Sequence, residues 1–118
     1  MSDTNSAAEF TDQELDIIRA TLAQCFGHAV EIDLADTELQ LDPESEALTL
    51  CPTVYWTAQE CHFVVCKTSK QRFYCQFFYG PDEMYGTGRL DYDNVFEAVA
   101  SMLKLQSEHG LKRHWTFN

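Results

Sequence analysis

The spacing of apolar residues changes twice along this chain, from helical to alternating and back again. Leu15, Ile18, Leu22 and then Cys25 or Phe26 recur at helical spacing and give one apolar stripe. Thr11-Asp12-Gln13-Glu14, just before it, is a capping box: the Thr11 hydroxyl can accept from the Glu14 amide while Glu14 reaches back to the Thr11 amide. Phe10 and Leu15 form a hydrophobic staple across that cap, and Gly27 stops the helix. From residue 30 the period is two. Residues 30–34 and 37–41 predict two short strands. Their inward parity passes from Ile32 and Leu34 to Thr37, Leu39 and Leu41, which predicts a bulge, bend or turn near Ala35 and Asp36. Residues 42–46 have turn chemistry, and 47–56 continue as a strand in which Pro52 predicts an edge or a bulge.

Residues 61–67 and 72–79 are the clearest strand pair, β-branched and aromatic, joined by Thr68-Ser69-Lys70-Gln71. Residues 80–90, with Gly80, Gly86 and Gly88, read as a loop. Asp91 or Asp93 caps a second helix over 94–109 that ends at Gly110, with a stripe of Val95, Phe96, Val99, Met102, Leu103 and Gln106. Residues 111–118 are expected to pack Trp115 and Phe117 on the sheet. The order is N-terminal helix, antiparallel sheet of four to five strands, C-terminal helix. That is an α+β domain with both helices on one face. Residues 1–9 are small and polar and are expected to be a flexible N-terminus; residues 10–118 form the single domain.

What fills the polar positions changes the picture. Residues 31–46 hold seven carboxylates, Glu31, Asp33, Asp36, Glu38, Asp42, Glu44 and Glu46, and no Lys, Arg or His. Same-face neighbours on a strand lie about 6.6 Å apart. A row of negative charges at that pitch resembles a nucleic-acid backbone, with a phosphate about every 3.4 Å of axis per strand. The whole chain carries 19 acids and 8 bases, net −11. Residues 1–60 hold 13 acids against Arg19 alone, and residues 61–118 hold 6 acids against 7 bases. The asymmetry predicts one strongly negative face, repelled by nucleic acid and anionic membranes and suited to a basic partner. Solubility through self-repulsion would account for the total charge equally well.

Other chemistry finds little footing. Apolar content of 45% predicts a packed core. No apolar run is long enough for a bilayer and the N-terminus lacks a signal peptide, so the expected compartment is the cytoplasm. Five cysteines, Cys25, Cys51, Cys61, Cys66 and Cys75, are odd in number and read as reduced, buried thiols. There is no CxxC pair for zinc, and Cys61 and Cys66 face opposite sides of one strand. No nucleophile signature surrounds any cysteine, although His28, His62, His109 and His114 are present. The acidic stretch lacks the Asp-x-Asp-x-Asp-Gly loop of calcium sites, and Gly86-Thr87-Gly88 lacks the full GxGxxG pattern. Glycosidase-type catalysis needs one carboxyl of raised pKa in a cleft, whereas these acids read as exposed and repetitive. No cofactor and no metal are expected, and the protein reads as a non-enzyme.

The helix FTDQELDIIRATL and the acidic strands VEIDLADTELQLDPESE, in a small acidic domain, resemble the small Neisseria DNA-mimic proteins that bind the histone-like protein HU. The resemblance spans the whole chain. It implies a monomer that occupies the DNA-binding surface of an HU dimer, competes with DNA, and is nucleoid-associated through that partner. The residues expected to stand for phosphates are Glu31, Asp33, Asp36, Glu38, Asp42, Glu44 and Glu46, with Asp12, Asp16 and Glu60 as extensions. The alternative is an acidic chaperone or immunity protein that holds a basic secreted effector or nuclease, binding by apolar patches as well as charge.

Overall fold

Large apolar side chains alternate on three consecutive strands, and that alternation decides where the helices lie. The computed structural model describes the backbone of residues 5–6, 8–86, 89 and 91–115 and the side chains of residues 8–86, 89 and 91–109. In chain order the elements are β1 (Asn5–Ser6), α1 (Asp12–Phe26), β2 (Asp33–Leu39), β3 (Thr49–Ala58), β4 (Cys61–Ser69), β5 (Arg72–Gly80), β6 (Glu83–Gly86) and α2 (Val95–Trp115). β2 to β6 form a five-stranded antiparallel sheet in sequence order, so the domain is α+β as expected. β1 adds a two-residue parallel pairing, Asn5 with Thr49 and Ser6 with Leu50. Because β2 already covers that part of β3 from one side, β1 lies on the side shared with β4.

Residues paired directly across a ladder share a face. On one face Val54, Val65 and Cys75 form a row, and Trp56, Phe63, Phe77 and Tyr85 form the next. Trp56 stacks on Phe63 with ring centroids 5.3 Å apart. Ile18 and Leu22 of α1 and Val95, Ala98, Val99, Met102 and Leu103 of α2 close over these rows in one core. Both helices therefore pack on the same face. Each large side chain buried there contributes about 1.5–3 kcal/mol, so the stability of the domain is concentrated on β3, β4 and β5. The opposite face carries Tyr55, His62 and Phe78, a stacked ladder with His62 and Phe78 centroids 4.9 Å apart.

The caps form as their residues dictate. Thr11 Oγ1 accepts from the Glu14 amide at 3.1 Å, and Glu14 Oε1 accepts from the Thr11 amide at 2.9 Å. Gly27 closes α1 in the left-handed region at φ 77°, its amide donating to the Ala23 carbonyl. α2 departs from expectation at both ends. Its first turn is capped by Asn94, whose Oδ1 accepts from the Glu97 amide, while Asp91 is drawn off to pair with Arg72 at 2.6 Å. It also runs through Gly110 to Trp115, because one interior glycine costs a helix only about 1 kcal/mol. Phe96 is 54% exposed and lies off the buried stripe; Ala98 takes its place in the core. The expected packing of Trp115 and Phe117 falls outside the described side chains.

One loop expectation and one strand expectation also change. Glu83–Gly86 is a strand on β5, entered through a register shift between Phe78 and Gly80. Pro52 sits inside an unbroken β3. On the side facing β1 and β4 it falls between the two ladders, which end at Leu50 and begin at Thr53. Its missing amide therefore leaves no strand partner short on that side.

One side chain ties the start of α1 to the sheet. Lys67 of β4 is 1% exposed on the helix-covered face. Its ammonium donates to Glu14 Oε1 at 2.7 Å and to the Glu9 carbonyl at 2.8 Å, about 6 Å above the rings of Phe10 and Phe73. Removing one member of a buried pair strands the other, typically at a cost of about 3–5 kcal/mol. Lys67→Met is expected to lose about 3 kcal/mol of unfolding free energy in urea titrations. Adding Glu14→Gln should recover at least half of that, since Gln neutralises the stranded carboxylate and still completes the capping box.

Candidate functional site

The acidic stretch maps onto β2, its approach and the turn beyond it. β2 is a single strand from Asp33 to Leu39, in continuous antiparallel register with β3 from Tyr55 to Thr49. The expected bulge at Ala35 and Asp36 is absent. The apparent parity change has another cause: β2 is an edge strand, and neither of its faces is fully covered. Leu34, Asp36 and Glu38 lie opposite Val54, Pro52 and Leu50 on the helix-side face. Asp33, Ala35, Thr37 and Leu39 lie opposite Tyr55, Thr53, Cys51 and Thr49 on the open face. The strand acids therefore do not form one row. Asp33 points to one face, and Asp36 and Glu38 to the other.

The helices do not reach out over β2, so Leu34 is 61% exposed although its cross-strand partner Val54 is buried in the core. A shallow cavity of about 180 Å³ separates them, lined by Glu9, Phe10 and Leu15 on one side and Leu34, Ala35 and Asp36 on the other. The first turn of α1, with exposed Asp12, thus stands beside the middle of the acidic strand. Asp16, one turn on, is exposed and lies 3.8 Å from Arg19.

Asp42, Glu44 and Glu46 occupy the turn after β2. Asp42 Oδ1 accepts from the Glu44 amide, the Asp42 carbonyl accepts from the Ser45 amide, and Gln40 Nε2 donates to the Ser45 carbonyl at 2.7 Å. Gln40 was not legible as a functional residue, yet it holds the acidic turn closed. At the other end, Glu31 and Gln59 line one cleft, which brings Glu60 of the β3–β4 hairpin to the same end as Glu31. Gln59 and Glu60 both lie in the left-handed region, at φ 53° and 64°, as a two-residue hairpin turn demands.

All ten residues expected to face a partner are exposed: Glu31, Asp33, Asp36, Glu38, Asp42, Glu44, Glu46, Asp12, Asp16 and Glu60. Among the described residues none of the seven in 31–46 has a basic group within ion-pair distance. Lys67, Arg72 and Arg89 are engaged by Glu14, Asp91 and Glu97, acids outside that stretch. Charged edge strands also keep sheets from pairing with one another, so Asp33, Asp36 and Glu38 have a purely protective explanation.

The open face behind the acids holds a buried polar knot. The Thr53 hydroxyl reaches Thr37 Oγ1 at 2.8 Å and Cys66 Sγ at 3.5 Å. Burial pushes the thiols of Cys51 and Cys66 above their usual range, so both stay protonated at neutral pH and are poor nucleophiles. Among the described residues no group of three His, Cys, Asp or Glu side chains is placed to hold a metal, and no helix is long and apolar enough to cross a membrane. No protein-family model, curated protein or solved structure matches the chain.

Two outcomes follow from this geometry. Seven unpaired carboxylates repel one another, and exposed charges are screened over about 8 Å at physiological salt. The melting temperature is therefore expected to rise by a few degrees between low and moderate NaCl, followed by circular dichroism; a fall would mean that the acids are internally paired. Left-handed backbone costs a non-glycine residue about 1–2 kcal/mol. Gln59→Asn with Glu60→Gly, the residues this turn favours, should stabilise the domain by about 1–2 kcal/mol in chemical denaturation.

Proposed function

We propose that this chain is a non-enzymatic mimic of a nucleic-acid backbone, binding the DNA-binding surface of a basic protein through its acidic strand and turn. The partner implied by the resemblance is the histone-like HU dimer, which this protein would bind in the cytoplasm as a monomer. One observation carries the reading: the carboxylates do not stop where the edge strand stops. Edge protection would account for Asp33, Asp36 and Glu38, but Asp42, Glu44 and Glu46 continue into a turn pinned by Gln40, where there is no edge to guard. Asp36 and Glu38, two apart on one face, stand about 6.6 Å from each other, close to twice the axial rise of a phosphate chain. Each exposed charge pair contributes only about 0.2–1 kcal/mol, so affinity comes from the number of carboxylates held in fixed relation, and the array also steers association.

The open sheet face supports a second reading, an acidic chaperone or immunity protein. Tyr55, His62 and Phe78 form an aromatic ladder without a covering layer among the described residues, and Met84 beside it is 52% exposed. Binding through that ladder would change little with salt, whereas binding through the acids would weaken steeply.

A gel-shift competition tests the proposal. Excess of this protein should displace labelled DNA from HU. A variant with Glu31→Gln, Asp33→Asn, Glu38→Gln and Asp42→Asn should need at least tenfold more protein to do so. The control Asp82→Asn, Glu83→Gln, Glu97→Gln and Glu108→Gln should compete like the unaltered chain. An HU–DNA band indifferent to a large excess would refute mimicry. Equal losses in both variants would remove residues 31–46 from the site.

A further inference from the structure

We infer that the outer edge of β2 takes up an extended basic segment of the partner as an added strand. This deepens the reading above, on which it rests: it specifies an extended segment where a rigid array of charges alone would accept a helix equally well. β2 pairs with β3 on one side only, and among the described residues no strand lies on its other side. The ladder to β3 runs seven residues without a register shift, and β2 contains neither proline nor glycine. Its outward amides and carbonyls therefore form a regular template for strand addition.

The side chains along that edge state what would fit. On the helix-side face Leu34, Asp36 and Glu38 follow one another, and Leu34 opens onto the cavity it shares with Phe10 and Leu15. An added strand would meet them with one apolar residue and then two basic ones at alternate positions. On the open face Asp33, Ala35, Thr37 and Leu39 call for one basic residue and then small or apolar ones. A second copy of this chain is disfavoured, because β2 against β2 would set carboxylates beside carboxylates. The exposed Leu34 is the independent sign: edge protection calls for charge and does not account for a large apolar residue 61% exposed on the strand, one position in from its start.

The probe is a nine-residue peptide alternating Arg with Val or Thr, titrated into the full chain by calorimetry. Two further peptides carry backbone N-methyl groups on the odd or on the even residues. Successive amides of a strand point in opposite directions, so only one set can face β2. Strand addition predicts that one N-methylated peptide binds at least tenfold more weakly while the other binds like the parent. It also predicts that hydrogen exchange across Asp33–Leu39 slows at least tenfold on saturation with the parent. If both N-methylated peptides bind like the parent, or both lose equally, strand addition is refuted while charge mimicry stands. If no peptide binds but the chain still displaces DNA from HU, strand addition is likewise refuted and mimicry survives. Failure of both assays refutes both readings.

Discussion

The arrangement of the acidic surface depends on the ammonium of Lys67. It is the only basic side chain buried among the described residues, and it holds the Glu14 carboxylate and the Glu9 carbonyl at once. Glu14 in turn completes the cap of α1. One charge on β4 thus ties the capped start of the first helix, and the chain just before it, to the sheet. Phe10 and Leu15, anchored by the same contact, form one wall of the cavity beside β2. A buried pair of this kind is a weak source of net stability, because desolvating both ions offsets much of their attraction. Its effect is positional: it fixes the start of α1 against β4.

The same economy of cations explains why the acidic strand stays unpaired. Arg72 is committed to Asp91 and Arg89 to Glu97, both pairs binding the approach to α2 to its surroundings. Arg19, the single base before residue 61, serves Asp16 within its own helix. Lys67 is taken by Glu14, and among the described residues no basic side chain lies within ion-pair distance of the acids of β2. Facing strands ordinarily gain from opposite charges, so a strand of acids without a base across from it gives up that stabilisation. The domain tolerates the loss because its core is built on β3, β4 and β5, under the helices, and not on β2 itself.

Much of the fold was legible because it rests on local chemistry. The capping box, the stop at Gly27 and the hairpin of β4 and β5 are short-range consequences of residue type, and all formed as read. The departure at β2 has a physical origin of its own. Burial alternates with period two only where one face is covered, and β2 is covered on neither, so its pattern mimicked a bulge. α2 continues through Gly110 because one glycine costs a helix only about 1 kcal/mol, and β3 continues through Pro52, which falls between the ladders to β1 and β4.

For the candidate site the division is similar. Sequence alone determined that residues 31–46 carry seven acids and no base, and that a strand followed by turn chemistry at 42–46 would present them. Charge and exposure follow from composition and local pattern, so these were decided before the chain folds. Only the tertiary structure decided that Asp33 faces away from Asp36 and Glu38, that Gln40 closes the acidic turn, and that Leu34 lies open beside α1. Those depend on which strand β2 pairs with and how far the helices extend. Both are settled by contacts between residues distant in sequence: the ladder of β2 on β3 for the first, and for the second contacts such as Lys67 with Glu14, fifty-three positions apart.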